Sequence, residues 1–162
     1  MSQAISLLLN VAEQTLTLSL PQFQRCYYVS TALKGVGQTN GSGCTPTGLH
    51  IIRAKIGAGC PVNAVFIGRR FTGEIYSQAL AQQFPKRDWI LTRIIWLSGL
   101  EVGVNRLGDV DTMRRYIYIH GAPDSEPMGV PLSHGCIRMH NQDVIELFDL
   151  VPVGTRLFIK EC

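Results

Sequence analysis

Long apolar runs are missing from this 162-residue sequence. The early stretch Ile5 to Leu9 is cut short by Asn10, well below the eighteen or so residues that a membrane span needs. No Lys or Arg precedes Arg25, and the first apolar patch runs into Glu13 and Gln14 rather than a small-residue cleavage site. The segment therefore does not read as a secretory signal, and the expected compartment is the cytoplasm, or the periplasm if a signal peptide has been removed. Charge of one sign is also scarce: fifteen basic and twelve acidic residues leave +3, with no basic run longer than Lys86-Arg87. A phosphate-tracking stripe is excluded, and with it nucleic acid as a partner. No C-x-x-C pair occurs among the five cysteines, so neither a structural zinc nor a dithiol redox pattern is present. The odd, scattered thiols fit a reducing compartment with at least one thiol free for chemistry.

Helical periodicity is sparse as well. The chain reads as β-branched and aromatic runs separated by Gly, Pro and Asn, which predicts a mainly β fold. Strands are expected at 5–11, 15–20, 26–30, 49–56, 89–97, 116–120 and 156–160, with 34–47 as a glycine-rich loop. Two short helices are expected, at 74–83 and 142–151. In the second, Val144, Leu147, Phe148 and Val151 recur at helical spacing, Asn141 is placed to cap the first turn, and Pro152 stops it. With 46% hydrophobic residues and no linker or repeat, one domain covering 1–162 is expected.

Chemistry concentrates in 116–140. Alternation along Tyr116 to His120 sends residues 116, 118 and 120 to one face and Ile117 and Ile119 to the other. A turn-rich loop then leads to Ser133-His134-Gly135-Cys136-Ile137-Arg138-Met139. Acyl transfer by cysteine needs a thiol, an imidazole to take its proton, a group that orients the imidazole, and backbone donors for the oxyanion. Cys136 is the candidate nucleophile, His120 its partner, and Gly135 the residue that lets the backbone amides converge. Arg138 would share the face of Cys136 and suits recognition of a substrate carboxylate, and Tyr118 is a candidate cleft wall. Cys26, Cys44, Cys60 and Cys162 read as small buried hydrophobes. His50 reads as a packed histidine and His140 as a surface or capping one. A second reading makes His120, His134, Cys136 and His140 zinc ligands, although their spacing matches no standard pattern.

His120-Gly121, the loop, and Ser133 to Met139, followed by Asn141, Asp143-Val144 and Leu147-Phe148, resemble the YkuD family, the L,D-transpeptidase catalytic domain of bacteria. Weaker similarity at Val29 to Ala32, Thr45 to Gly48, Gly73-Glu74 and Val153 to Thr155 extends along most of the chain. The resemblance implies a YkuD-like β-sandwich or flattened barrel with one or two short helices, and no cofactor or metal. It implies attack on peptidoglycan tetrapeptide stems between the third residue, typically meso-diaminopimelate, and D-Ala. Cys136 would be the nucleophile, His120 the proton carrier, and the Gly121 carbonyl the group that orients it. His134, Gly135 and Cys136 would form the oxyanion hole, and Ser133 and Arg138 would line the substrate site. Acylation of Cys136 by carbapenem inhibitors is implied too. The similarity is greatest to cytoplasmic L,D-carboxypeptidases that trim recycled muropeptides. Transpeptidation to 3,3 cross-links is the alternative, and a wall-peptide-binding domain without catalysis is a further one.

Overall fold

The computed structural model describes residues 5–162. In chain order the strands are β1 (Ser6–Asn10), β2 (Thr15–Ser19), β3 (Gln24–Ser30), β4 (Gly48–Ile56), β5 (Ala64–Ile67), β6 (Arg70–Ile75), β7 (Ile90–Gly99), β8 (Tyr118–Gly121), β9 (Ile137–Met139) and β10 (Arg156–Lys160). Helix α1 (Gln78–Gln83) lies between β6 and β7, and α2 (Asn141–Leu150) lies between β9 and β10. The neighbour order β4-β10-β1-β2-β3-β9-β8-β7 closes on itself because β4 also pairs with β7. The result is an eight-stranded barrel, with the β5–β6 hairpin added at the edge of β7.

Alternation sets which side chains face the interior. Leu7 and Leu9 of β1, Leu16 and Leu18 of β2, Ile95 and Leu97 of β7, Ile119 of β8, and Ile137 and Met139 of β9 are buried in one cluster. Val144, Leu147 and Phe148 of α2 and the following Val151 complete it, at the spacing expected from the sequence. Intervening residues of β7, β8 and β9 face the other side, where Ile94, Tyr118, Phe66 and Ala64 form a second cluster that includes Cys136. Strands β8 and β9 are parallel, with Ile119, His120 and Gly121 beside Ile137, Arg138 and Met139. Parallel neighbours need a crossover of a dozen or more residues, and residues 122–136 supply it.

Several boundaries depart from the sequence reading. The helix expected from Glu74 begins only at Gln78, where the Ser77 hydroxyl accepts from the Leu80 N–H. Residues 70–75 are strand instead, because Ala64 pairs with Ile75 and the Tyr76 N–H reaches the Asn63 carbonyl. Tyr116 falls outside β8: its φ of +57° turns the chain just before the strand. Asn141 does not cap α2 with its side chain. It is the first residue of the helix and is buried, while His140 holds the cap position without a side-chain bond. The four other cysteines are not buried: Cys26 and Cys162 are exposed, and Cys44 and Cys60 are half-buried. His50 is packed as expected, with its ring nitrogens against the Gly48 carbonyl and the Thr112 hydroxyl. Among the described residues no helix is long and apolar enough to cross a membrane.

Candidate active site

The register of β8 against β9 places His120 beside Arg138, and by continuation Tyr118 beside Cys136. Parallel neighbours in register face the same way, so these four side chains share the face of the sheet opposite the main core. His120 is 1% exposed, whereas Cys136 is only partly covered. The imidazole Nδ1 lies 2.6 Å from the Gly121 carbonyl. A carbonyl only accepts, so Nδ1 carries the proton and the Nε2 lone pair is left for chemistry. Burial lowers the His120 pKa, against the opposing pull of the Gly121 carbonyl and the Asp88 carboxylate, so the ring is neutral at pH 7.

Gly121 itself is sterically required. A Cβ there would overlap Asn141 Oδ1 and stand 2.7 Å from the Leu91 carbonyl oxygen. Asn141, 1% exposed, holds the surrounding chain. Its Nδ2 donates to the Ala122 carbonyl (2.9 Å) and to Asp124 and Asn63 (3.0 Å each), and its Oδ1 accepts from the Thr92 hydroxyl. Thr92 sits at φ +74° in a bulge of β7, a strained conformation for a β-branched residue. The peptide behind His120 is therefore fixed by a polar network, not by apolar packing alone.

Cys136 Sγ accepts from the Tyr118 N–H at 3.3 Å and donates toward the Tyr116 carbonyl at 3.4 Å. Among the described residues no hydrogen bond joins it to His120. Burial raises the thiol pKa to about 12, partly offset by the Tyr118 N–H, with Asp88 adding to the rise and Arg138 and Arg115 opposing it. The resting pair is thus a neutral thiol and a neutral imidazole on one face.

The turn 133–136 is held from inside. The Ser133 hydroxyl donates to the Cys136 carbonyl (2.6 Å) and accepts from the Gly135 N–H (3.2 Å). Ser133 is buried and braces the turn. It also takes the Gly135 N–H that the resemblance put in the oxyanion hole. The His134 and Cys136 N–H groups have no protein acceptor among the described residues. Gly135 adopts φ +133°, and a Cβ there would meet the Cys44 carbonyl oxygen at 3.2 Å. The buried Thr45 hydroxyl donates to the Gly135 carbonyl at 2.9 Å. Arg115 ties down the 34–47 loop by donating to the Gly37, Gln38 and Cys44 carbonyls and the Ser42 hydroxyl.

Arg138 shares the face of Cys136 as expected, but its guanidinium is already engaged. It pairs with Glu126 at 2.9 Å and Asp88 at 3.3 Å, and it is 8% exposed. A fork shared by two protein carboxylates braces the crossover. His134 points outward, 3.6 Å from Asp88. His120, His134, Cys136 and His140 do not converge as zinc ligands: among the described residues no three His, Cys, Asp or Glu side chains come within metal-binding reach.

Sequence reasoning missed Asp88, Thr45, Arg115, Thr92 and Arg69. Arg69, at the tip of the β5–β6 hairpin, stacks 4.6 Å from the Tyr116 ring and 5.1 Å from that of Trp96, and it donates to the Tyr118 hydroxyl. An aromatic and cationic wall thus flanks Cys136. A Gly-Arg pair between apolar runs, Gly68-Arg69, was the one available hairpin signal.

Comparison with known proteins places this geometry. The family model described as the L,D-transpeptidase catalytic domain, YkuD, matches residues 5–159. The Bacillus subtilis (strain 168) proteins YqjB and YkuD both carry L,D-transpeptidase in their names. YqjB is 51% identical over 43 residues, which cover 26% of this chain and 24% of that protein. YkuD is 50% identical over 47 residues, 29% of each. The aligned segments therefore span only a quarter to a third of these relatives. Among solved structures, L,D-transpeptidase 3 from Mycobacterium tuberculosis with a faropenem-derived adduct has a TM-score of 0.60 at 15% identity, over 98% of this chain and 60% of that one. An L,D-transpeptidase from Mycobacterium smegmatis has a TM-score of 0.56 at 19% identity, over 96% of this chain and 58% of that one. At these identities the likeness is one of fold.

Proposed function

The chain belongs to the YkuD family of L,D-transpeptidase catalytic domains, and on that premise we propose that it is a cysteine acyl-enzyme acting at the L,D bond of peptidoglycan tetrapeptide stems. The carrying observation is the placement of His120 and Cys136 on one face of the β8–β9 pair, with Nδ1 locked on the Gly121 carbonyl. In this reading the Cys136 proton passes to His120 Nε2 as Sγ attacks the carbonyl carbon of the third stem residue. The oxyanion is held by the N–H groups of His134 and Cys136. The C–N bond then breaks, Nε2 returns the proton to the departing D-Ala amine, and a thioester remains. An incoming water or amine resolves the thioester, giving up its proton to His120 and restoring the thiol.

A neutral imidazole is the form this sequence requires, since a protonated ring could not accept the thiol proton. Burial that disfavours the imidazolium therefore serves the first step. For the resolving step the proposal takes water, which makes the protein an L,D-carboxypeptidase of muropeptide recycling in the cytoplasm, on its resemblance to such members. An amine acceptor, giving 3,3 cross-links, is the reading that the relatives' names favour. β-Lactams of the penem and carbapenem classes, seen with family members of this fold, would acylate the same sulfur.

The test is mass spectrometry of products from disaccharide-tetrapeptide, with Cys136→Ala as control. Tripeptide and D-Ala without dimers support the carboxypeptidase, and cross-linked dimers support the transpeptidase. Products undiminished in the variant would overturn the cysteine mechanism.

A further inference from the structure

A cavity of about 270 Å³ opens where β4, β7 and the 100–114 segment meet, and it is lined by Arg53, Arg106 and Arg114. None of these three guanidinium groups makes an ion pair, hydrogen bond or aromatic stack among the described residues, although the Arg114 charge acts on the Asp111 carboxylate. Most other arginines of the chain are engaged, as Arg25, Arg69, Arg87, Arg93, Arg115 and Arg138 show. Three arginines thus line one cavity, and a guanidinium carries a planar fork of donors suited to an anion.

The walls are built rather than loose. Asn105, fully buried, accepts from the Glu101 N–H and donates to the Thr47 and Leu49 carbonyls. Leu107, at φ +67°, donates its N–H to Asp111, which also accepts from the Arg114 N–H. The buried Thr112 hydroxyl meets the His50 ring at 2.9 Å. These bonds fix the segment that carries Arg106 and Arg114. Arg53 lines the same cavity from β4, at the register shift between Ile52 and Ala54. Such bulges re-aim side chains.

Asp111 also lines the cavity, but its carboxylate faces the backbone donors of its own turn, and three guanidinium charges against one carboxylate leave a net +2. Arg156 of β10 stands directly opposite Ile51, a wall residue, and adds positive charge on the same sheet face. Ser98 lies two residues beyond Trp96 on one face of β7, roughly 7 Å along the strand. The cavity is therefore separated from Cys136 by the Trp96–Tyr118 pair.

We propose that this cavity is a binding site for a small, multiply charged phosphate-class anion, a diphosphate group. A single carboxylate would need only one guanidinium fork. The volume lies below the roughly 300–1,000 Å³ typical of sites for drug-sized ligands, so the group recognised is small. It is either a free anion or the charged end of a larger molecule that projects outward. The site is independent of the acyl-transfer reading.

The experiment is calorimetric titration of the full chain with sodium pyrophosphate and with ADP in 0.15 M NaCl, with citrate as a carboxylate control. Wild-type protein, Arg106→Gln and the Arg53→Gln/Arg114→Gln double variant are compared. One saturable site is expected for pyrophosphate, weakened at least about tenfold in each variant, as loss of a charge-assisted contact implies. Because these side chains are exposed, thiol alkylation kinetics and thermal unfolding should be unchanged. Binding of pyrophosphate alone assigns the free anion, and binding of ADP as well assigns a linked diphosphate. No saturable binding, equal binding by the variants, or citrate binding as tight as pyrophosphate would overturn the proposal.

Discussion

The neutral resting state of the Cys136–His120 pair has a direct kinetic consequence. Raising the thiol from the ordinary 9.0 to about 12 lowers the thiolate population at neutral pH roughly a thousandfold. A more basic thiolate is intrinsically more nucleophilic, with a Brønsted coefficient of about 0.4–0.5, which recovers roughly 15- to 30-fold. Cys136 should therefore react with iodoacetamide roughly 30- to 60-fold more slowly than a small-molecule thiol at pH 7. The rate, followed by peptide-resolved mass spectrometry, should climb about tenfold per pH unit from 6 through 10 without a plateau. His120→Gln should leave that alkylation rate nearly unchanged, because no imidazolium holds the thiolate at rest. The same variant should lose about 10²- to 10⁴-fold in turnover of tetrapeptide, the usual contribution of a general base. A plateau below pH 8, or a collapse of alkylation in His120→Gln, would mean a preformed thiolate–imidazolium pair and refute the reasoning.

Two further outcomes follow from the packing. Gly121→Ala puts a Cβ against Asn141 Oδ1 and the Leu91 carbonyl, so it should cost about 1–3 kcal/mol of stability by overpacking. It should also cut turnover about a hundredfold by displacing the carbonyl that orients His120, read by urea unfolding and tetrapeptide kinetics. His50 is buried neutral, with its pKa lowered to about 4, chiefly by burial. A folded-state value below the ordinary 6.5 means stability is full above pH 6.5 and falls as pH drops toward 4, by about 3 kcal/mol from this group. Urea titrations at pH 7 and pH 4 should show that loss, and His50→Gln should flatten it.

The barrel strands other than β9, and α2, were legible because their inward residues repeat at two and at 3.6, as Leu7/Leu9, Leu16/Leu18 and Val144/Leu147/Phe148 do; β9 is only three residues long and was not expected. Strands β5 and β6 were not legible: β5 is a four-residue run without alternation, and 70–75 is largely exposed and carries no alternating apolar face. Glu74 and Ala79 to Gln83 then suggested a longer helix than forms. At the site, the placing of His120 on the face of Tyr118 was legible from strand alternation, and Cys136 joins that face through the β8–β9 register. The bracing groups were not, because Asn141, Thr45, Asp88 and Arg115 act through partners distant in sequence, such as Thr92 for Asn141 and Gly135 for Thr45. Asn141 illustrates the point: its position at the start of a helix is that of a cap, yet its Oδ1, the atom a cap would offer to the helix N–H groups, accepts from the Thr92 hydroxyl instead. Arg138 follows the same logic, with face legible and partners not.

The central claim is a covalent acyl-enzyme on Cys136. Wild-type protein mixed with tetrapeptide, quenched in acid within seconds and digested should yield the Cys136 peptide carrying the stem without its D-Ala, and Cys136→Ala should yield neither adduct nor free D-Ala. D-Ala released at the wild-type rate by Cys136→Ala, with no adduct in either protein, would contradict the account.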